Sequence, residues 1–207
     1  MQGGDNVDFT QITATLESLG YGVSCFDTAQ AAANYLGEKI RGKTVGFGGS
    51  VTLEQMGLYD LLALNNDVSY HNRLPGGKTR TDVCRDAMNA QVYISSVNAL
   101  AQTGEIVNID GNGNRIASIL FGHKKVYLVV GENKITADYD AAVWRAKNIA
   151  APMNAKRLKA KTPCAAVDGS CSDCMSPNRI CRAMLVLYGP PLRSDFEIIL
   201  IHEELGF

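Results

Sequence analysis

Lys43-Thr44-Val45-Gly46-Phe47-Gly48-Gly49-Ser50-Val51-Thr52-Leu53 reads as a strand that runs into a glycine turn and on into a helix. Lys43 to Phe47 carries the strand, Gly48-Gly49-Ser50 the turn, and Thr52 to Leu64 the helix. In open α/β sheets, ligands bind at the carboxyl ends of strands, where such turns lie. Glycines let the backbone approach a ligand, and the free N–H groups of the following helix favour an anion. Ser50 or Thr52 suits both a helix cap and a ligand oxygen. The stretch is not a P-loop, since no Gly-Lys-Ser/Thr follows. Nor is it the dinucleotide fingerprint, since Val51 stands where its third glycine belongs. Gly48, Gly49, Ser50 and Thr52 are therefore candidate ligand contacts, weighed against a plain turn with a capping hydroxyl.

The same alternation extends in both directions. Helices are expected over Phe9–Leu19, closed by Gly20, and over Thr28–Ile40, capped by Thr28. Further helices are expected over Lys78–Asn89 and over Thr136–Ile149, the latter capped by Thr136. Strands are expected at Tyr21–Phe26, Val68–Asn72, Gln91–Ile94, Glu105–Ile109, Lys125–Val130, Arg182–Tyr188 and Phe196–His202. Asp110-Gly111-Asn112-Gly113-Asn114 is a tight turn. Strands alternating with helices argue a largely parallel sheet with helices on both faces. A length of 207 residues suits one domain, residues 1–207, in which a cysteine-rich segment at about 161–182 forms a late insertion.

Hydrophobic residues make up 46% of the chain, enough for a real core. The 20 basic and 21 acidic residues leave a net charge of −1, so nucleic acid is not an expected partner. Met1 to Asp5 lacks the basic and apolar pattern of a secretory signal. Runs such as Val126–Val130 fall far short of a membrane span. The expected location is the cytoplasm, without membrane insertion.

His71, Arg73, Lys78, Arg80 and Arg85 fall close together around Gly76-Gly77. Arg73 and Lys78 are candidate contacts to a carboxylate or phosphate. Arg85, with Asp82 and Asp86 at helical spacing, reads better as part of a solvated face.

Cys164, Cys171, Cys174 and Cys181 follow the pattern C-x6-C-x2-C-x6-C. Their segment also holds Asp168, Ser170, Ser172, Asp173 and Ser176, too polar to bury four thiols for packing alone. Cys25 and Cys84 look like scattered core residues instead. In a reducing compartment, four clustered thiols point to a metal centre. Tetrahedral zinc and a [4Fe–4S] cluster both accept four thiolates, and spacing does not separate them. Arg179, Arg182 and the preceding lysines would offset the negative charge of such a centre.

Several stretches together resemble the LUD-domain (lactate utilization) family: Gly46-Phe47-Gly48-Gly49-Ser50-Val51-Thr52-Leu53, Gly57-Leu58, Ala101-Gln102-Thr103-Gly104-Glu105-Ile106-Val107, Val130-Gly131-Glu132-Asn133-Lys134-Ile135 and Ala150-Ala151-Pro152-Met153-Asn154-Ala155-Lys156-Arg157. The resemblance implies a fold related to the NagB/RpiA/CoA-transferase group. It also implies a role in oxidation of L-lactate or a related small 2-hydroxy acid, as an oxidoreductase component, and it favours [4Fe–4S] over zinc. Other lactate-utilization subunits or redox proteins become the expected partners, with a small anionic ligand in the cleft and self-association as a homo-oligomer. Two alternatives stay open. One is a non-catalytic assembly subunit with a structural zinc site. The other is an isomerase- or transferase-like enzyme binding a phosphorylated or CoA-type ligand at the glycine loop. The glutamate nucleophile of CoA transferases has no secure counterpart; Glu105 is the candidate.

Overall fold

Nearly continuous apolar strands explain the architecture of the computed structural model, which describes residues 8–166 and 169–207. The strands are β1 (Gly22–Phe26), β2 (Thr44–Phe47), β3 (Asp67–Tyr70), β4 (Val92–Ser96), β5 (Ala99–Ala101), β6 (Ile106–Asp110), β7 (Lys125–Gly131), β8 (Ile135–Thr136), β9 (Ala183–Leu187) and β10 (Asp195–Ile201). Six of them form a sheet in the order β1-β10-β7-β4-β2-β3, and every pairing in it is parallel. Its central strands are buried along nearly their whole length, as a sheet covered on both faces requires.

The two-residue period divides each central strand between two cores. Tyr127, Val129, Ile199 and Ile201 face one side. There they meet helices α2 (Ala29–Lys39), α3 (Val51–Gln55) and α4 (Leu58–Ala63) through Leu36, Leu53 and Leu58. Val126, Leu128, Ile198 and Leu200 face the other side, where Ile12 and Leu16 of α1 (Thr10–Ser18) pack.

That second face also carries something the sequence did not suggest. A four-stranded sheet in the order β8-β5-β6-β9 lies against it through Leu100, Ile106, Leu185 and Leu187. The strand expected at Arg182–Tyr188 belongs to this sheet, antiparallel to β6, and not to the parallel one. The reverse side of the small sheet packs on α7 (Tyr139–Arg145) and α8 (Ala151–Arg157) through Ala142 and Ala151, and on the turn joining them through Ala146. Alanine-to-alanine contact lets helix and strand approach closely.

Local signals account for most boundaries. Thr28 caps α2 by accepting the Ala31 amide at 3.2 Å, and Ser50 caps α3 by accepting the Leu53 amide at 3.3 Å. The helix expected over Thr52–Leu64 is two helices, because Gly57 takes a left-handed conformation with φ 60°. The cap of α7 is Asp138, which accepts the Ala141 amide at 2.8 Å, and not Thr136, which sits in β8. The glycine turn after β6 feeds a helix absent from the sequence reading, α6 (Asn114–Leu120). Helix α5 (Arg80–Met88) starts with a capping box between Thr79 and Asp82. Between α7 and α8 the helix widens to a π-helical turn over Ala146–Ala150, a feature frequent at functional sites. The residues Met1 to Asp5 and Asp168, read above for a leader and for segment polarity, lie outside the described residues. Among the described residues, no helix is long and apolar enough to cross a membrane.

Candidate functional site: a cationic cleft beside a thiol cavity

The turn after β2 fits only glycine. The Gly48 amide donates to the Ile94 carbonyl at 2.9 Å, and a Cβ on Gly48 would overlap Ser95 Oγ. A Cβ on Gly49 would stand 3.0 Å from His71 Nε2. This close approach opens a cleft of about 220 Å³ at the carboxyl ends of the parallel strands. Gly49, Ser50 and Thr52 line it from the β2 turn, His71 from beyond β3, Ser96 from β4 and Lys134 from beyond β7. Arg80, Arg115 and Arg157 line it from three helices, α5, α6 and α8.

The balance of charge in this cleft is positive. Its carboxylate, Asp110, is already engaged with backbone: it accepts the amides of Asn112, Arg115 and Ile116 at 2.9–3.2 Å. Arg115 bonds inward to the Ile109 carbonyl at 2.6 Å and to Asn98 at 3.1 Å. Arg157 is steadied by Asn154 Oδ1 at 2.8 and 3.0 Å, yet remains exposed toward the opening, as does Arg80. A guanidinium held this way suits a planar carboxylate. His71 is buried, and that burial, reinforced by Arg80, pushes its pKa down to about 4, so its imidazole is neutral at neutral pH.

Lys134 forms the floor. Its side chain is 3% exposed, and its Nζ donates to Thr52 Oγ1 and to Ser96 Oγ, both at 2.8 Å. Thr52 passes its own proton to the Leu205 carbonyl at 3.1 Å. Burial drives the Lys134 pKa well below the usual lysine value, and the cations Arg145 and Arg115 push the same way.

Of the residues expected at a ligand, the fold brings Gly49, Ser50 and Thr52 to the cleft and sets Gly48 behind them in its wall. Arg73 and Lys78 are not among the lining residues. Arg73 stands over the Tyr59 ring at 5.8 Å, and exposed Lys78 pairs with Asp86 at 2.7 Å. Arg85 pairs with Asp82 at 3.6 Å on the surface. Glu105 accepts the Thr103 hydroxyl and lies outside the cleft. Lys134, Arg115 and Arg157 were missed as site residues. A lysine directly after the most apolar strand of a parallel sheet was the available signal for the first.

The four clustered cysteines come together as well. Cys164, Cys171, Cys174 and Cys181 line one cavity of about 220 Å³ together with Lys147, Arg179 and Arg182. Their segment lies between α8 and β9, and apart from a short 3-10 turn at Pro163–Ala165 its described residues form no helix or strand. It is pinned at few points. Lys147 Nζ meets Asp173 at 2.7 Å, Arg179 Nε donates to Cys181 Sγ at 3.3 Å, and the Arg182 amide donates to the Asp110 carbonyl at 3.0 Å. All four thiols are half-buried and none is in a disulfide. Among the described residues, no three Cys, His, Asp or Glu side chains are grouped as ligands of one metal ion. Cys84 is half-buried on α5, whereas Cys25 is exposed on β1 and not in the core. The two cavities share a wall made of Ile109, Ala151 and Ile180.

A sequence model of the LUD domain matches residues 9–201. No curated protein matches the chain. Among solved structures, the chain is similar to a DUF162 family protein from Deinococcus radiodurans, with 15% identity, a TM-score of 0.52, and 92% of this chain and 94% of that one covered. At that identity the likeness concerns the fold.

Proposed function

From the premise that the chain belongs to the LUD-domain family, we propose that it supports oxidation of L-lactate or a related small 2-hydroxy acid. In this reading the cleft holds the acid, and Cys164, Cys171, Cys174 and Cys181 hold an iron–sulfur centre next to it. The observation that carries the proposal is the shared wall of Ile109, Ala151 and Ile180 between a cationic cleft and a four-thiol cavity.

Arg157 and Arg80 receive the carboxylate, as charge-assisted donors at the mouth. Ser50 keeps its hydroxyl proton while its oxygen caps α3, so it can donate to the oxygen carried by the acid's second carbon. The apolar wall residues exclude water from the side facing the thiols. The donor set suits an iron–sulfur cluster: four thiols surround one cavity with Lys147, Arg179 and Arg182 to offset negative charge. When bound, a [4Fe–4S] cluster takes up and passes on single electrons. The sequence has no flavin or nicotinamide fingerprint, so a partner, another lactate-utilization subunit or redox protein, supplies the hydride acceptor. In this reading the thiols are kept reduced for such a centre, which suits a cytoplasmic location.

The test is an absorption spectrum of protein purified without oxygen, with iron, sulfide and zinc assayed on the same sample. Brown protein containing iron and sulfide, both lost in Cys171→Ser/Cys174→Ser, is the expected result. Colourless protein with stoichiometric zinc would replace the cluster with a structural site.

A further inference from the structure

Lys134 is a buried amine without a counter-ion. Among the described residues no carboxylate pairs with it, and the charged groups that face it, Arg145 from α7 and Arg115 from α6, are both positive. Burying an ammonium costs several kcal/mol, on the order of what drives such groups neutral, unless a partner compensates. The hydrogen bonding agrees with a neutral amine. Two N–H groups go to Thr52 Oγ1 and Ser96 Oγ, and Thr52 is committed as acceptor because its proton serves the Leu205 carbonyl. A neutral amine has two N–H groups; with both given to these hydroxyls its lone pair is left over, and Lys134 lines the cleft. A lysine neutralised by burial next to other cations is the activated form for attack on carbonyl carbon. The surroundings hold it in place: a Cβ on Gly206 would lie 3.3 Å from Nζ and 2.5 Å from Thr52 Oγ1, so the chain closes tightly around the amine.

Resting on the reading that the cleft takes a small 2-hydroxy acid, we propose that Lys134 forms an imine with the corresponding 2-oxo acid. The substrate class is a short 2-oxo carboxylate, with its carboxylate at Arg157 and Arg80 and its carbonyl carbon over Lys134 Nζ. The nitrogen lone pair forms the new N–C bond, and the carbonyl π pair moves to oxygen, which takes up a proton. The carbinolamine then loses that oxygen as water, and nitrogen gives up its remaining proton to leave the C=N bond. Nothing is oxidised or reduced, and water is the only by-product. The cleft of about 220 Å³ accommodates an acid of three or four carbons.

The experiment uses pyruvate as probe and borohydride as the added reductant, on the full chain at neutral pH. Reduction of the imine gives a mass gain of one pyruvic acid less one oxygen atom. Peptide mapping is expected to place it on Lys134. Well under a thousandth of an exposed lysine is neutral at neutral pH, so labelling at Lys134 should exceed that at any exposed lysine at least ~10-fold. L-lactate in excess, with the same carboxylate but no carbonyl, should suppress it. Lys134→Met should abolish the adduct; if that variant does not fold, the peptide map of the unaltered chain decides alone. Calorimetry with pyruvate runs in parallel. Binding without an adduct on Lys134, or labelling spread evenly over exposed lysines, overturns the imine and leaves the acid-binding cleft standing. If neither pyruvate nor lactate binds, the imine and the substrate reading fall together.

Discussion

The cleft and the thiol cavity share three wall residues and nearly the same volume, yet they are held in shape by different means. The cleft stands on strand ends of a parallel sheet. At Gly48 and Gly49 the neighbouring Ser95 and His71 leave no room for a side chain, and the cleft's polar groups are tied into bonds such as Lys134–Thr52–Leu205. The thiol cavity is walled by a segment that, among its described residues, has one 3-10 turn and a handful of side-chain contacts. A site built on sheet and helix ends is formed before its ligand arrives. A site built on loop takes much of its order from what it binds, and metal binding there is part of folding.

The largest expected effect follows from that contrast. If the proposed centre forms, stripping its metal from anaerobically prepared protein, or replacing Cys171 and Cys174 by Ser, should open the segment from about 161 to 182 to proteolysis. The main thermal transition of the two sheets should hardly move. Limited proteolysis read by mass spectrometry, beside calorimetry, checks both halves. Loss of the main transition along with the metal would mean that the segment supports the sheets, and the contrast would collapse.

Next comes the rigidity of the cleft's support. A Cβ at Gly46 on β2 would overlap the Ala87 carbonyl of α5 and lie 2.9 Å from its carbon, both backbone atoms that cannot swing away. Gly46→Ala should therefore cost about 3 kcal/mol, the upper end for overpacking in a core. Urea titration measures it. A cost under about 0.5 kcal/mol, the size of a surface change, would show that sheet and helix can part more easily than close packing implies.

The pH dependence of stability belongs to the cleft as well. The pKa of His71 falls from 6.5 in the unfolded chain to about 4 in the fold, chiefly through burial. Between those values the unfolded chain binds a proton that the folded one refuses, so stability is full above about pH 6.5 and falls as pH drops toward 4. The loss from this residue reaches about 3 kcal/mol. His71→Asn should flatten the slope of unfolding free energy in that window. The slope that remains belongs partly to His123, whose pKa burial also lowers. An unchanged slope would show that solvent reaches His71 in the fold.

These outcomes also mark what could be read from the chain alone. The parallel sheet was legible because its strands are continuous apolar runs, and the β2 turn because Gly48-Gly49-Ser50 interrupts one of them. The small sheet was not. Ala99–Ala101 is too short to show a period, and its alanines gain meaning only against the alanines of α7 and α8. That the four cysteines share one cavity was legible, because spacing in sequence limits how far apart they lie in a loop, but among the described residues they are not grouped as ligands of one metal ion. The cleft's cations were not, because Arg80, Arg115, Lys134 and Arg157 come from four separate elements, and only the crossovers of the sheet bring them together. Arg73 and Lys78 looked right by nearness in sequence, but the chain had spent them on Tyr59 and Asp86.

The smallest expected effect separates a cap from a ligand contact. Ser50 and Thr28 do the same local work, each accepting an amide proton three residues on, at 3.3 and 3.2 Å. Ser50→Ala and Thr28→Ala should each cost about 1 kcal/mol of stability, the usual loss for an N-cap. Only Ser50 lines the cleft with a hydroxyl proton left to donate. The rise in melting temperature caused by saturating pyruvate should therefore shrink in Ser50→Ala and stay whole in Thr28→Ala, since ligand stabilisation scales with affinity for the folded state. Thr28→Ala supplies the control for general weakening: equal shrinkage in both variants would reduce Ser50 to a cap, and the acid would then rest on the arginines alone.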